Sequence, residues 1–140
     1  MRLTTRIAFV LLFLPLAAFA QFRDLDSAME NLERGFGAGD VDAIVSGIGK
    51  EEQVQLQFPD LAEKSGFFGR DQAAYLLEGL FNSTKPSGFE TVSARKVSAE
   101  GQYHIKARWT ISTGARELFI TLQQKGERWT VVSVRSAGAR

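Results

Sequence analysis

The stretch Gly101-Gln-Tyr-His-Ile-Lys-Ala-Arg-Trp-Thr-Ile-Ser-Thr-Gly-Ala-Arg-Glu-Leu-Phe-Ile-Thr-Leu-Gln-Gln-Lys-Gly-Glu-Arg-Trp-Thr-Val-Val-Ser-Val-Arg135 decides the fold. Three runs rich in β-branched and aromatic residues are interrupted only by Thr113-Gly114 and Lys125-Gly126-Glu127. Such short turns predict an antiparallel meander. The first run alternates strictly. Tyr103, Ile105, Ala107, Trp109 and Ile111 share one face, and Gln102, His104, Lys106, Arg108, Thr110 and Ser112 share the other. That is a half-buried strand with one core face and one face toward water or a partner. In Leu118–Leu122 and Trp129–Val134 apolar side chains fall on both faces, as expected of central strands or of a sheet partly covered on its second side.

Working upstream, Phe89–Ser98 reads as a further strand, with Ala99-Glu100-Gly101 as its turn. Arg70–Asn82 carries Ala73, Leu76, Leu77, Leu80 and Phe81 at helical spacing, and Asp71 in its first turn opposes the helix dipole. Before it, Glu52–Phe58 alternates as a strand with Val54, Leu56 and Phe58 inward, and Leu61–Gly69 reads as a loop holding Phe67 and Phe68. Asp24–Phe36 has the stripe Leu25, Ala28, Met29, Leu32 and Phe36, with Asp24 as N-cap and Ser27/Glu30 at capping-box spacing. Asp40 then caps a second short helix bearing Val41, Ile44, Val45 and Ile48. The order is helix, helix, strand, helix, four strands. An antiparallel sheet with its helices gathered on one face is an α+β arrangement.

The first twenty residues have a different character. Arg2 and Arg6 precede the apolar run Ile7–Leu16, and Ala18-Phe19-Ala20 supplies a small-x-small cleavage pattern. The apolar span, interrupted by Pro15, is shorter than the ~20 residues of a spanning helix. Residues 1–20 are thus expected to be a signal peptide cleaved after Ala20, leaving no stable membrane anchor and a single domain over 21–140. The cleaved chain would hold 15 basic and 16 acidic side chains, a net charge of −1. That balance argues against nucleic acid, whose binding is mostly cationic. With no cysteine in the sequence, lipid attachment at a new N-terminal Cys is closed, and a bacterial periplasm or exterior is the expected destination.

Three pieces together resemble the NTF2-like (cystatin-like) superfamily, and most nearly its small exported bacterial domains of unknown function. They are Phe36-Gly-Ala-Gly-Asp40-Val-Asp-Ala-Ile44 at the helical corner, Gly69-Arg-Asp-Gln-Ala-Ala-Tyr-Leu-Leu opening the third helix, and Leu118-x-Ile120-x-Leu122 followed by Gly126-x-x-Trp129-x-Val131. The resemblance implies a curved antiparallel sheet wrapped around a long helix, a cone with a cavity at its open end. It implies no reaction, because one fold hosts many functions.

His104, the only histidine, falls on the polar strand face and reads as solvated, which excludes a multi-histidine metal site; with no cysteine, no thiolate site remains. No cofactor is expected. Asp40 and Asp42 are explained as a helix cap and its first turn. Asp60 and Glu63, in the loop between strand and helix, fit the cone mouth and an ordinary surface loop equally well, and Glu78 lies off its helix stripe. Tyr75, beside Leu76/Leu77, and Trp109, on a core face, are the candidate walls of a pocket. Phe36, Phe58 and Phe68 would line the same end if the family geometry holds. Lys106, Arg108 and Phe119 are candidates for a partner or dimer face, within a loosely basic set that also includes Arg116, Arg128 and Arg135. The expected function is a non-enzymatic module for a small apolar ligand or a protein partner. The alternatives are an isomerase- or dehydratase-like enzyme using a cavity tyrosine and carboxylate, and a structural homodimer pairing through its sheets.

Overall fold

Asp24 opens the first helix, α1 (Leu25–Ala38), its carboxylate accepting from the Ser27 amide at 2.8 Å. Gly39 closes it in the left-handed conformation, φ 73°, where glycine carries no Cβ penalty. Asp40 caps α2 (Val41–Val45) directly afterwards. There follow β1 (Gln53–Gln57), β2 (Gly66–Gly69), α3 (Arg70–Thr84), β3 (Gly88–Val97), β4 (Gln102–Ile111), β5 (Gly114–Lys125) and β6 (Arg128–Ser136). This computed structural model describes residues 24–137. The expected signal peptide, residues 1–20, lies outside them.

The six strands form one sheet in the order β2-β1-β6-β5-β4-β3. The C-terminal meander is present as expected, and β5 and β6, with apolar residues on both faces, are central strands. Two expectations need correction. The sheet is mixed, because β1 runs parallel to β6, pairing Gln55 with Ser133 and Leu56 with Val134. Turn lengths fix only neighbours along the chain, and this pair is joined across most of the domain. The segment expected to be all loop contains β2, a four-residue edge strand that sets Phe68 opposite Val54 and Phe67 opposite Gln55.

The apolar face follows the register. Leu56, Val134, Ile120 and Ile105 lie side by side across four strands, all buried. Among the described residues two helices cover this face, gathered on one side as the element order predicts, where the family resemblance implied one long helix. α1 packs on β3 and β4 through Ala28, Leu32 and Phe36, while α3 packs on β1, β2 and α2 through Ala73, Leu77, Leu80 and Phe81. The widths explain why. Six strands ~4.8 Å apart span more than 20 Å, about twice a helix diameter of ~10 Å.

Between helices and sheet the space is filled by aromatic rings. Trp109 meets Phe36, Phe58 and Phe81 with centroids 5.8, 6.1 and 6.3 Å apart. Its indole N–H donates at 2.9 Å to the carbonyl of Phe36, one of the last-turn acceptors of α1 that no intrahelical amide can reach.

A polar knot ties the start of β6 to the loop after α2. The Thr130 hydroxyl lies 2.8 Å from both the Gly47 carbonyl and the Glu52 carboxylate. Glu52 also accepts from the Gly49 amide and pairs with Lys125 at 3.1 Å, its side chain 23% exposed. Burial alone would raise its pKa. The hydrogen bonds from Thr130, Lys125 and Gly49, with the Lys125 charge, outweigh that and hold it below the ordinary value. A carboxyl depressed in the folded state stabilises above its unfolded pKa, and the contribution fades as pH falls through the folded one. Glu52→Gln is expected to cost about 1 kcal/mol at pH 7. Its urea midpoint should fall less steeply than the parent's below about pH 4.5. Parallel curves for the two proteins across that range would dismiss the assignment.

Candidate functional site

A large depression opens on the outer flank of α3, at the β2 edge of the sheet. It begins with the turn after β1, where the amides of Leu61 and Ala62 both donate to the Phe58 carbonyl at 3.0 Å. This turn lays Leu61 and Ala62 against the helix. On α3 the facing positions are Gln72, Tyr75, Leu76, Gly79, Leu80 and Ser83, spaced three and four apart along one stripe. Phe68 of β2 closes one end, and the open cavity measures about 690 Å³. Glu63, Lys64 and Asp71 stand at its rim.

Gly79 shapes the floor. A Cβ built there meets nothing within 4 Å, so the missing side chain leaves open space. Glycine inside a helix costs roughly 0.5–1 kcal/mol relative to alanine. Here the helix forgoes that stability and gains a notch between Tyr75, Leu76 and Leu80.

The candidate pocket residues divide. Phe68 and Tyr75 line this groove, Tyr75 with 82% of its surface exposed. It walls an open groove, with its ring in solvent. Successive helix positions point about 100° apart, so the one before Leu76 turns away from the stripe centred on Ala73, Leu77 and Leu80. Phe36, Phe58 and Trp109 are fully buried and pack on one another and on Phe81. They make core, not cavity wall. Leu61, Ala62 and Gly79 were not singled out by sequence. The one signal was a glycine in the middle of a well-formed amphipathic helix.

Lys106, Arg108 and Phe119 lie on the sheet face opposite the helices, with Lys106 directly across from Phe119. The basic set does not stay together. Arg135 joins them there, whereas Arg116, paired with Trp109, takes the helix side, and Arg128 stands beside Glu52 and Arg70. His104, half-buried on the open face, has Nε2 2.9 Å from Gln102 Oε1. Asp40 caps α2 and meets Arg34 at 3.3 Å, and Glu78 is exposed. Among the described residues no cluster of three His, Asp or Glu side chains has metal-binding geometry, and no helix is long and apolar enough to cross a membrane.

An acid–base site works best where water is excluded and a carboxylate is held against its partner. Glu63, Asp71 and Tyr75 are all open to solvent. The groove offers apolar surface and a polar rim, which suits holding a molecule more than transforming it.

Solved structures share this architecture. A DUF4783 family protein from Bacteroides ovatus superposes with a TM-score of 0.67 at 15% identity, over 79% of this chain and 94% of that one. An NTF2-like protein of unknown function from Shewanella baltica matches with a TM-score of 0.60 at 14% identity, covering 82% and 93%. A Catenulispora acidiphila protein with a ketosteroid isomerase-like fold, solved in complex with trimethylamine, gives 0.57 at 12% identity, covering 80% and 85%. At these identities the likeness is one of fold, and the fold is NTF2-like, as the three sequence pieces implied. No curated protein matches the chain. The family model of the domain of unknown function DUF4783 matches residues 29–136, nearly the whole described chain, and to that family the chain belongs.

Proposed function

We propose that this protein is an exported, non-enzymatic binding module that holds a small, largely apolar molecule in the groove between the Leu61–Phe68 segment and α3. The observation carrying the reading is a cavity of about 690 Å³, within the range of small-molecule sites, whose floor is cut by a glycine. Leu61, Phe68, Leu76 and Leu80 supply apolar contact, and the rim charges keep the empty site compatible with water. Export rests on Arg2, Arg6, the Ile7–Leu16 run and Ala18-Phe19-Ala20. The ligand class rests on the lining.

The test uses Gly79 because changing it should not harm the fold. Gly79→Ala is expected to raise stability by about 0.5–1 kcal/mol in urea denaturation. Gly79→Phe should fold as well, with its ring in the groove. A neutral apolar dye, N-phenyl-1-naphthylamine, should bind saturably to the parent and to Gly79→Ala, and at least tenfold more weakly to Gly79→Phe. Equal binding by Gly79→Phe, with its fold verified by circular dichroism, would refute the groove as the site. Native mass spectrometry of protein recovered from its own periplasm then reports which molecule travels with it.

A further inference from the structure

The opposite side of the molecule carries a second depression, of about 330 Å³, on the sheet face that none of the described helices covers. The register builds it as two rows of side chains. One row is Arg95, His104, Thr121 and Ser133 across β3, β4, β5 and β6. The next is Ser93, Lys106, Phe119 and Arg135. Three cations and three hydroxyls thus surround the hollow, and among the described residues its lining holds no carboxylate. The nearest acids on this face, Glu90 and Glu117, lie in the following row on either side of Arg108. Glu117 reaches Lys106 at 3.4 Å and takes up part of its charge.

Arg135 is the best prepared of the three. Its guanidinium lies 4.5 Å above the Phe119 ring centre. Stacking of this kind fixes the plane of the group and leaves its in-plane N–H donors facing outward, the fork that carboxylates, phosphates and sulfates accept. Arg95 stands on the far strand, three strand spacings away, about 14 Å at ~4.8 Å each. Both side chains are long enough to converge over the hydroxyls between them. A second copy seated here face to face would set these cations against their own kind, so charge argues for an anionic occupant. A duplex or long single strand would need a more extended basic track than this hollow supplies.

The geometry points to a binding site for a small, multiply charged oxyanion, a phosphate or sulfate compound, with Arg95 and Arg135 holding the charged groups. The hydroxyls of Ser93, Thr121 and Ser133 would hydrogen-bond the remaining oxygens. This site is separate from the apolar groove, and either can fail without the other.

Calorimetric titration with pyrophosphate at low ionic strength is expected to give one saturable site that weakens as salt is added. Arg95→Ala and Arg135→Ala should each weaken it about tenfold, as loss of a charge-assisted hydrogen bond predicts. Arg135→Lys, which keeps the charge without the fork, should fall between that variant and the parent. Glu117→Gln should tighten binding about two- to fivefold by releasing Lys106, a gain that a merely structural role for this face would not produce. Lys50→Ala, a charge change in a loop outside this face, should leave the titration unchanged. Absence of saturable pyrophosphate binding would overturn the inference, as would loss of affinity in Glu117→Gln. So would binding only to phosphatidylglycerol vesicles, which would make the face a lipid contact. A dimer by light scattering that Phe119→Asp dissolves would overturn it too, because the face would then be occupied by a second copy.

Discussion

Trp109→Ala is expected to remove about 5 kcal/mol of folding stability. Truncating a buried Trp or Phe to Ala typically costs 3–5 kcal/mol through lost transfer energy and the cavity left behind. Trp109 is fully buried and touches three other rings, which places it at the upper end. The indole also serves the Phe36 carbonyl, and stranding a buried acceptor adds about 1–3 kcal/mol unless water enters the cavity. Domains of this size have about 5–15 kcal/mol in total. The variant should therefore sit near its unfolding midpoint without denaturant. Trp109→Phe isolates the polar part, because most of the ring volume survives while the donor is lost, and about 2 kcal/mol is expected. Urea denaturation followed by far-ultraviolet circular dichroism measures both. A loss below 1 kcal/mol for Trp109→Ala would mean that the aromatic cluster does not pin α1 to β4, and the packing described above would have to be abandoned.

The same cluster marks where sequence was legible. Trp109 falls on the apolar side of an unbroken alternation, and Ala28, Leu32 and Phe36 recur at helical spacing, so both of their buried faces could be read from periodicity alone. What could not be read was which distant pieces meet. Nothing in Phe36 or Trp109 singly says that the indole reaches the end of α1, so periodicity leaves both open as walls of a pocket. β2 escaped for another reason. Two of its four residues are glycine, too short and too weakly β-forming to stand out from a loop, and it exists because β1 offers an unpaired edge. For Tyr75 the limit is angular. Periodicity places a residue on a helix to within a turn, but whether its flank meets a sheet or solvent depends on how many helices share the cover. With α1 over β3 and β4, α3 moves toward β1 and β2, and its flank becomes the wall of an open groove.

That packing of helices rests on Gly35, and the second large effect is expected there. In α1 the residue faces Ile44 of α2, and a Cβ added to it would come far closer to Ile44 Cγ1 than van der Waals contact allows, 2.8 Å from Cδ1 and 3.2 Å from the Asp40 carbonyl oxygen. Two terms compete in Gly35→Ala. Helix propensity favours alanine by about 1 kcal/mol. Overpacking a rigid contact costs about 1–3 kcal/mol, and Ile44 is itself buried with little room to yield. The second term should win, for a net loss of about 1–2 kcal/mol. Gly35→Leu, with three further carbons in the same place, should lose considerably more. The cause can be separated from any general intolerance of the position by a double-mutant cycle. Ile44→Ala alone should cost about 2–4 kcal/mol by cavity formation. On that background Gly35→Ala should turn from a loss into a gain of up to about 1 kcal/mol, because the clashing carbons are gone and the propensity gain remains, a coupling of at least 1 kcal/mol. Strict additivity of the two changes would show that α1 and α2 do not meet at this pair. The corner that holds Phe36 over Trp109, and with it the displacement of α3 that opens the groove, would then need another explanation.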